Sequence, residues 1–125
     1  MTLVLDAGAL IALERNDRAM WVRLKAVHGA GELPVTHAGV VGQVWRGTPR
    51  QARLATALRG IEIRPLDEQL GRAAGELLRQ TRTADVVDAA VALLAGDGDD
   101  VITADVEDLE RLIAATGRHV ELIRP

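Results

Sequence analysis

Cysteine is absent from the chain, which excludes a disulfide framework, a thiolate nucleophile and a cysteine zinc site. No apolar run approaches the ~20 residues of a membrane span, so no membrane attachment is expected. No basic stretch precedes an apolar segment near Met1, and the first residues read as a strand. A signal peptide is therefore not expected, and the expected location is cytoplasmic. No phosphate-binding P-loop or GxGxxG is present. Lys25 is the sole lysine, so the late lysine of a receiver domain is missing. A haloacid-dehalogenase-type Asp-x-Asp is missing too, because position 8 is Gly. AGDGDDV suggests a calcium loop, but Val101 and Ile102 fall where a ligand and a glycine are needed; the stretch reads as a helix stop and turn. His28, His37 and His119 lack ligand-like spacing and read as surface or capping residues.

What is present suits one compact domain over residues 1–125, with 48% apolar residues to build its core. The net charge of −3 is unevenly spread. Residues 1–45 carry four acids and four bases, residues 46–82 eight arginines and four acids, and residues 83–125 ten acids and three arginines. A basic middle beside an acidic end suits a phosphate-binding surface next to a metal site, or simply a mosaic surface. Arginine outnumbers lysine fourteen to one, which suits bidentate phosphate contacts.

Strands are predicted at 2–5, 33–36, 60–64, 100–103 and 120–123. Helices are predicted at 7–14, about 17–29, 37–46, 49–58, 67–80, from a cap at Thr83 or Asp85 to about Leu94, and 106–115. This alternation predicts an α/β domain with a mostly parallel central sheet covered by helices on both faces.

In such a sheet, ligands bind beyond the carboxyl ends of the strands. TLVLDAGAL and VITADVEDL each run an apolar strand into an acid and then a helix, so Asp6 and Asp105 are expected on one rim. Asp85 and Asp88 are three apart on one helix and share a face. Asp6, Asp85 or Asp105 taken alone reads as a helix cap. Asp88 sits inside DAAVALLA, where a carboxylate is costly unless paired, capping or bound to metal. Three or four acids converging on a rim without lysine call for a hard cation, and oxygen ligands favour Mg²⁺ or Mn²⁺ over zinc. Water activated by such a cation can attack a phosphodiester.

Taken in order and spacing, LVLDAGALIALE, VVGQVWRG, DVVDAAVALLA and VITADVEDL resemble the motifs of PIN-domain ribonucleases. The likeness is greatest to VapC toxins of toxin–antitoxin pairs, of the actinobacterial kind, and spans essentially the whole chain. The resemblance implies a PIN-like fold and an endoribonuclease that holds Mg²⁺ or Mn²⁺ with three or four acids. Asp6 and Asp105 match two of these acids. The helix acid matches Asp85, and a slip of one turn puts it on Asp88, so both remain candidate ligands. Asp108 lies nearby as a supporting acid, and Thr103 is placed to hold Asp105 or a water of the site by its hydroxyl. Arg46 is a candidate for binding phosphate or for bridging to a rim carboxylate. Arg50 and Arg53 extend an RNA track or form a solvated helix face. The implied partners are an RNA substrate, a VapB-type antitoxin whose tail blocks the site, and a second copy in a homodimer. The chain departs from the pattern at Gln43, where the family usually carries Glu. That leaves a natural variant of weak or absent activity, or a glutamine introduced to disarm a nuclease. The alternative function is a catalytically silent PIN-fold module that binds antitoxin or RNA.

Overall fold

Leu3, Val4 and Leu5, all buried, form the central strand β1 (Leu3–Leu5) of a five-stranded sheet. The structure, a computed structural model, describes Met1–Pro125. The other strands are β2 (Val35–His37), β3 (Glu62–Arg64), β4 (Asp100–Ile102) and β5 (Glu121–Ile123). Their order is β3-β2-β1-β4-β5, and every pairing is parallel. A parallel sheet needs a crossover between successive strands. Here α1 (Ala7–Glu14) and α2 (Arg18–Gly29) lead to β2, and α3 (Ala38–Val44) and α4 (Ala52–Leu58) lead to β3. α5 (Glu68–Thr81) and α6 (Val86–Leu94) lead to β4, and α7 (Val106–Thr116) leads to β5.

The chain moves outward from β1 in one direction through β2 and β3, then returns and continues through β4 to β5. Right-handed crossovers therefore put α1–α4 on one face and α5–α7 on the other, and helices pack mainly within these two groups. The expected α/β architecture is the one found, with a sheet that is wholly parallel. α6 is the most buried helix: Ala89, Ala90, Val91 and Ala92 are all inaccessible to solvent. Its small side chains let it lie close between α5, α7 and the sheet, while Leu5, Leu10, Leu13 and Ile102 are among the larger side chains of the core.

The strand predicted at 33–36 starts two residues later and ends one residue later, at Val35–His37. Pro34 has no N–H to give to a ladder, and it contributes only its carbonyl, to the Glu62 N–H. The helix predicted at 37–46 stops at Val44 because the buried Gln51 captures the chain there. Gln51 Nε2 donates to the Val44 carbonyl at 2.8 Å, and its Oε1 accepts from the Arg46 and Gly47 N–H groups at 2.7 and 3.1 Å. The helix predicted at 49–58 begins as a 3-10 turn, Pro49–Gln51.

Strand order reverses at β1, which leaves a crevice between the carboxyl ends of β1 and β4, the usual ligand position in such sheets. In register, Leu5 pairs with Ile102, so Asp6 and Thr103 face each other just beyond the sheet.

Candidate metal centre

Asp6 follows the last residue of β1, and its carboxylate is held in two places. Oδ1 accepts from the Ala7 N–H at 2.8 Å, and Oδ2 accepts from the buried Thr103 hydroxyl at 2.8 Å. The same hydroxyl accepts from the Asp105 N–H at 3.0 Å. Thr103 thus couples the two acids that the strand-end pattern puts on one rim. Asp105 stands at the start of α7 but makes no capping hydrogen bond, and it is exposed. Its carboxylate is turned to the crevice instead of its own helix.

The two helix acids have different roles. Asp85 is the N-cap of α6, its Oδ1 accepting from the Asp88 N–H at 3.0 Å. Asp88 lies in the first turn and is buried. One carboxylate oxygen from each of Asp6, Asp88 and Asp105 lies within 4.8 Å of the others. Asp85 is outside this group. Asp108 is exposed in the first turn of α7, close enough for its charge to act on Asp88.

Burial first, then the charges of Asp6, Asp85, Asp105 and Asp108, push the Asp88 carboxyl up to about 7. Burial likewise raises Asp6, against the lowering effect of the Thr103 hydrogen bond. The Asp88 carboxylate accepts no hydrogen bond within the protein, and neither of the two ion pairs, Arg64–Glu62 and Arg72–Glu68, involves the crevice. No side-chain oxygen in the protein is both fully buried and unpartnered, so the Asp88 oxygens reach the open crevice. A largely buried carboxylate among acids, with no counter-ion, is still disfavoured unless a cation joins it. Two buried acids and one open to solvent, all offering oxygen, fit a hard divalent ion. A cation held there would compete with a proton for Asp88. Mn²⁺ affinity is expected to rise by about tenfold per pH unit from pH 5 and to level off above about pH 7, where Asp88 is already ionised. Titration calorimetry at several pH values checks this. The metal-free protein should show the opposite trend. Its native state holds the Asp88 proton more tightly than the unfolded chain does, so it loses stability as pH rises from about 4 to about 7.

Gly8 has a steric reason to be glycine. A Cβ there would lie 2.9 Å from the Ala104 Cβ and 3.1 Å from the Ala104 nitrogen. α1 thereby packs directly on the Thr103–Asp105 segment. Beside it runs a groove of roughly 500 Å³ lined by Gly8, Ile11, Ala12, Arg15, Ala104 and Arg124 among others. Arg15 and Arg124 share this groove with Asp17, and Arg124 donates to the carbonyl of Ala104, the residue before Asp105. Sequence reasoning misses Arg124, which is joined to the site only by the fold.

The other expected residues are not among the three clustered acids. Gln43 is exposed on α3, and its side chain makes no hydrogen bond. Arg46 folds back on its own helix, donating to the carbonyls of Gly42, Gln43 and Trp45 at 3.1, 3.2 and 2.7 Å. It makes no ion pair with a rim carboxylate. Arg50 is exposed, and Arg53 reaches the Glu14 carbonyl at 3.4 Å. His37, expected as a surface or capping histidine, is a cap but wholly buried, and burial lowers its pKa so that the ring is neutral.

Sheet order, crossovers and a carboxylate crevice at the switch point define an α/β domain of PIN-like fold. A solved structure of the same fold is the crystal structure of VapBC2 from Rickettsia felis bound to a DNA fragment from their promoter. The match covers 98% of this chain and 98% of that chain, with a TM-score of 0.69 and 15% sequence identity. No protein-family model matches the chain, and no curated protein matches its sequence. No helix is long and apolar enough to cross a membrane.

Proposed function

We propose that this chain is a divalent-metal-dependent endoribonuclease of the VapC toxin type, restrained by a VapB-type antitoxin. One observation carries the proposal: Asp6, Asp88 and Asp105 each bring a carboxylate oxygen within 4.8 Å of the others at the crevice, with the largely buried Asp88 paired to no cation. Asp6, Asp88 and Asp105 would hold Mg²⁺ or Mn²⁺, with Asp85 capping the helix that carries Asp88. Once bound, the cation supplies Lewis acidity to a phosphodiester and lowers the pKa of an attacking water. Thr103 fixes the rotamer of Asp6 by donating to Oδ2. Asp105, exposed at the mouth of the crevice, is the acid that incoming solvent and substrate meet first. The neighbouring structure is that of a VapBC pair, which supports an antitoxin partner here. A homodimer belongs to the same reading.

The test is incubation of the purified protein with structured RNA. Cleavage with Mn²⁺ that stops on adding EDTA supports the nuclease. A second reading, a silent module that binds antitoxin or RNA, is favoured by the neutral Gln43 where the resemblance calls for Glu. Tight antitoxin binding without cleavage would select it.

Phosphate contacts on this reading come from arginines that the fold leaves free. Neither Arg15, in the groove beside Ala104, nor the exposed Arg50 is engaged by a carboxylate. Replacing both with Ala should weaken RNA binding and reduce its salt slope by roughly one for each lost contact. Mn²⁺ affinity should stay the same. Filter binding across a salt series measures the first effect and calorimetry the second.

A further inference from the structure

Each of the three clustered acids is preceded by a peptide bond whose carbonyl is taken by a side chain from elsewhere in the fold. The Leu5 carbonyl accepts from the buried Thr36 hydroxyl at 2.7 Å. The Val87 carbonyl lies 3.0 Å from His37 Nε2. The Ala104 carbonyl accepts from the Arg124 guanidinium at 3.2 Å. The other end of each peptide is also held. The N–H groups of Asp6, Asp88 and Asp105 donate to the Ile102 carbonyl, to Asp85 Oδ1 and to the Thr103 hydroxyl, each at 3.0 Å.

We propose that Thr36, His37 and Arg124 are positioning residues that fix the three peptide planes leading into Asp6, Asp88 and Asp105, and so set where the carboxylates converge. This rests on the metal-site reading above and deepens it. A peptide plane held at both ends cannot rotate about its flanking dihedrals without breaking one of the two bonds, so the N–Cα bond of the acid that follows is held in place and its side chain can swing only through φ and χ.

His37 shows the arrangement most fully. Its Nδ1 accepts from the Gly39 N–H at 3.0 Å, so the ring proton must sit on Nε2 and point at Val87. A Cβ at Gly39 would lie 2.8 Å from His37 Cε1, so the following helix turn has room for the ring only because position 39 is glycine. One neutral ring therefore starts α3 and ties it to the first turn of α6. Thr36 and His37 are adjacent residues of β2, so the end of a single strand serves two of the three acids.

Paired substitutions separate positioning from bulk stability. Thr36→Val removes the hydroxyl at nearly constant shape, and Thr36→Ser keeps it. His37→Asn keeps an acceptor near the Nδ1 position but no donor toward Val87, whereas His37→Gln keeps that donor and gives up the cap. Arg124→Met removes the donor at an exposed position, and Arg124→Lys retains one. We expect Thr36→Val, His37→Asn and Arg124→Met to weaken Mn²⁺ binding by about tenfold each, and their partners to stay within about threefold of wild type. Affinities that are all within about threefold of wild type, or that simply follow the melting temperatures, overturn the proposal. The exposed Arg124 pair decides between these outcomes even if the buried variants fail to fold. A wild type that binds no Mn²⁺ would refute the metal-site reading. The positioning claim is then decided by amide hydrogen exchange in the metal-free protein. Faster exchange at Asp88 in His37→Asn but not in His37→Gln, and at Asp105 in Arg124→Met but not in Arg124→Lys, supports it; unchanged exchange overturns it.

Discussion

Asp88→Asn is expected to lower Mn²⁺ affinity by at least about a hundredfold, beyond the usual cost of losing a merely supporting group, and to abolish RNA cleavage. The same change should make the metal-free protein more stable at pH 8. Asp88 is buried, faces the charges of Asp6, Asp85, Asp105 and Asp108, and is pushed up to about 7. At pH 8 the native wild type therefore carries a charge its surroundings disfavour, which the amide removes. Adding metal should reverse the ranking. An ion at a hundred times its Kd stabilises the wild type by about 2.7 kcal/mol, and the variant gains little of this. Melting curves in EDTA and in Mn²⁺ should thus cross: the variant melts higher without metal and lower with it. A variant that melts lower in both would mean that Asp88 is an ordinary structural carboxylate.

Gln43→Glu should act in the opposite sense. The Gln43 side chain is exposed and makes no hydrogen bond within the protein, so the exchange forfeits no contact. If it stands where the resemblance calls for an acid of the site, the new carboxylate should raise Mn²⁺ affinity and cleavage by about 10–100-fold. The gain should vanish with chelator, and expression without antitoxin should become harmful. The metal-free protein should lose a little stability, because like charge is added to an acidic rim. Equal affinity and equal cleavage for the Gln and Glu forms would show that position 43 lies outside the site.

Much of this centre is legible in the chain because its geometry follows from local pattern. Asp6 and Asp105 each end an apolar strand, and a parallel sheet brings strand ends to one rim. Asp88 stands out as a carboxylate in an otherwise apolar helix. The choice between Asp85 and Asp88 is not legible, since it depends on where α6 begins, and helix ends shift by a residue or two with local hydrogen bonding. Once α6 starts at Val86, Asp85 becomes its cap and Asp88 turns inward. His37 is hidden for another reason. Its partner carbonyl is fifty residues away, and no periodicity marks a buried neutral ring. Arg124 reaches the peptide before Asp105 only because the end of the chain returns beside α1. Gln51 has no pattern in the sequence to mark it, and is buried only because the α3–α4 connection closes around it.

The most direct test is an anomalous difference map from crystals soaked in Mn²⁺. We predict one peak in the crevice at the ends of β1 and β4, contacted by Asp6, Asp88 and Asp105, with Asp85 still accepting from the Asp88 N–H. No peak there at saturating Mn²⁺, or an ion held by Asp85 with Asp88 turned away, would contradict it.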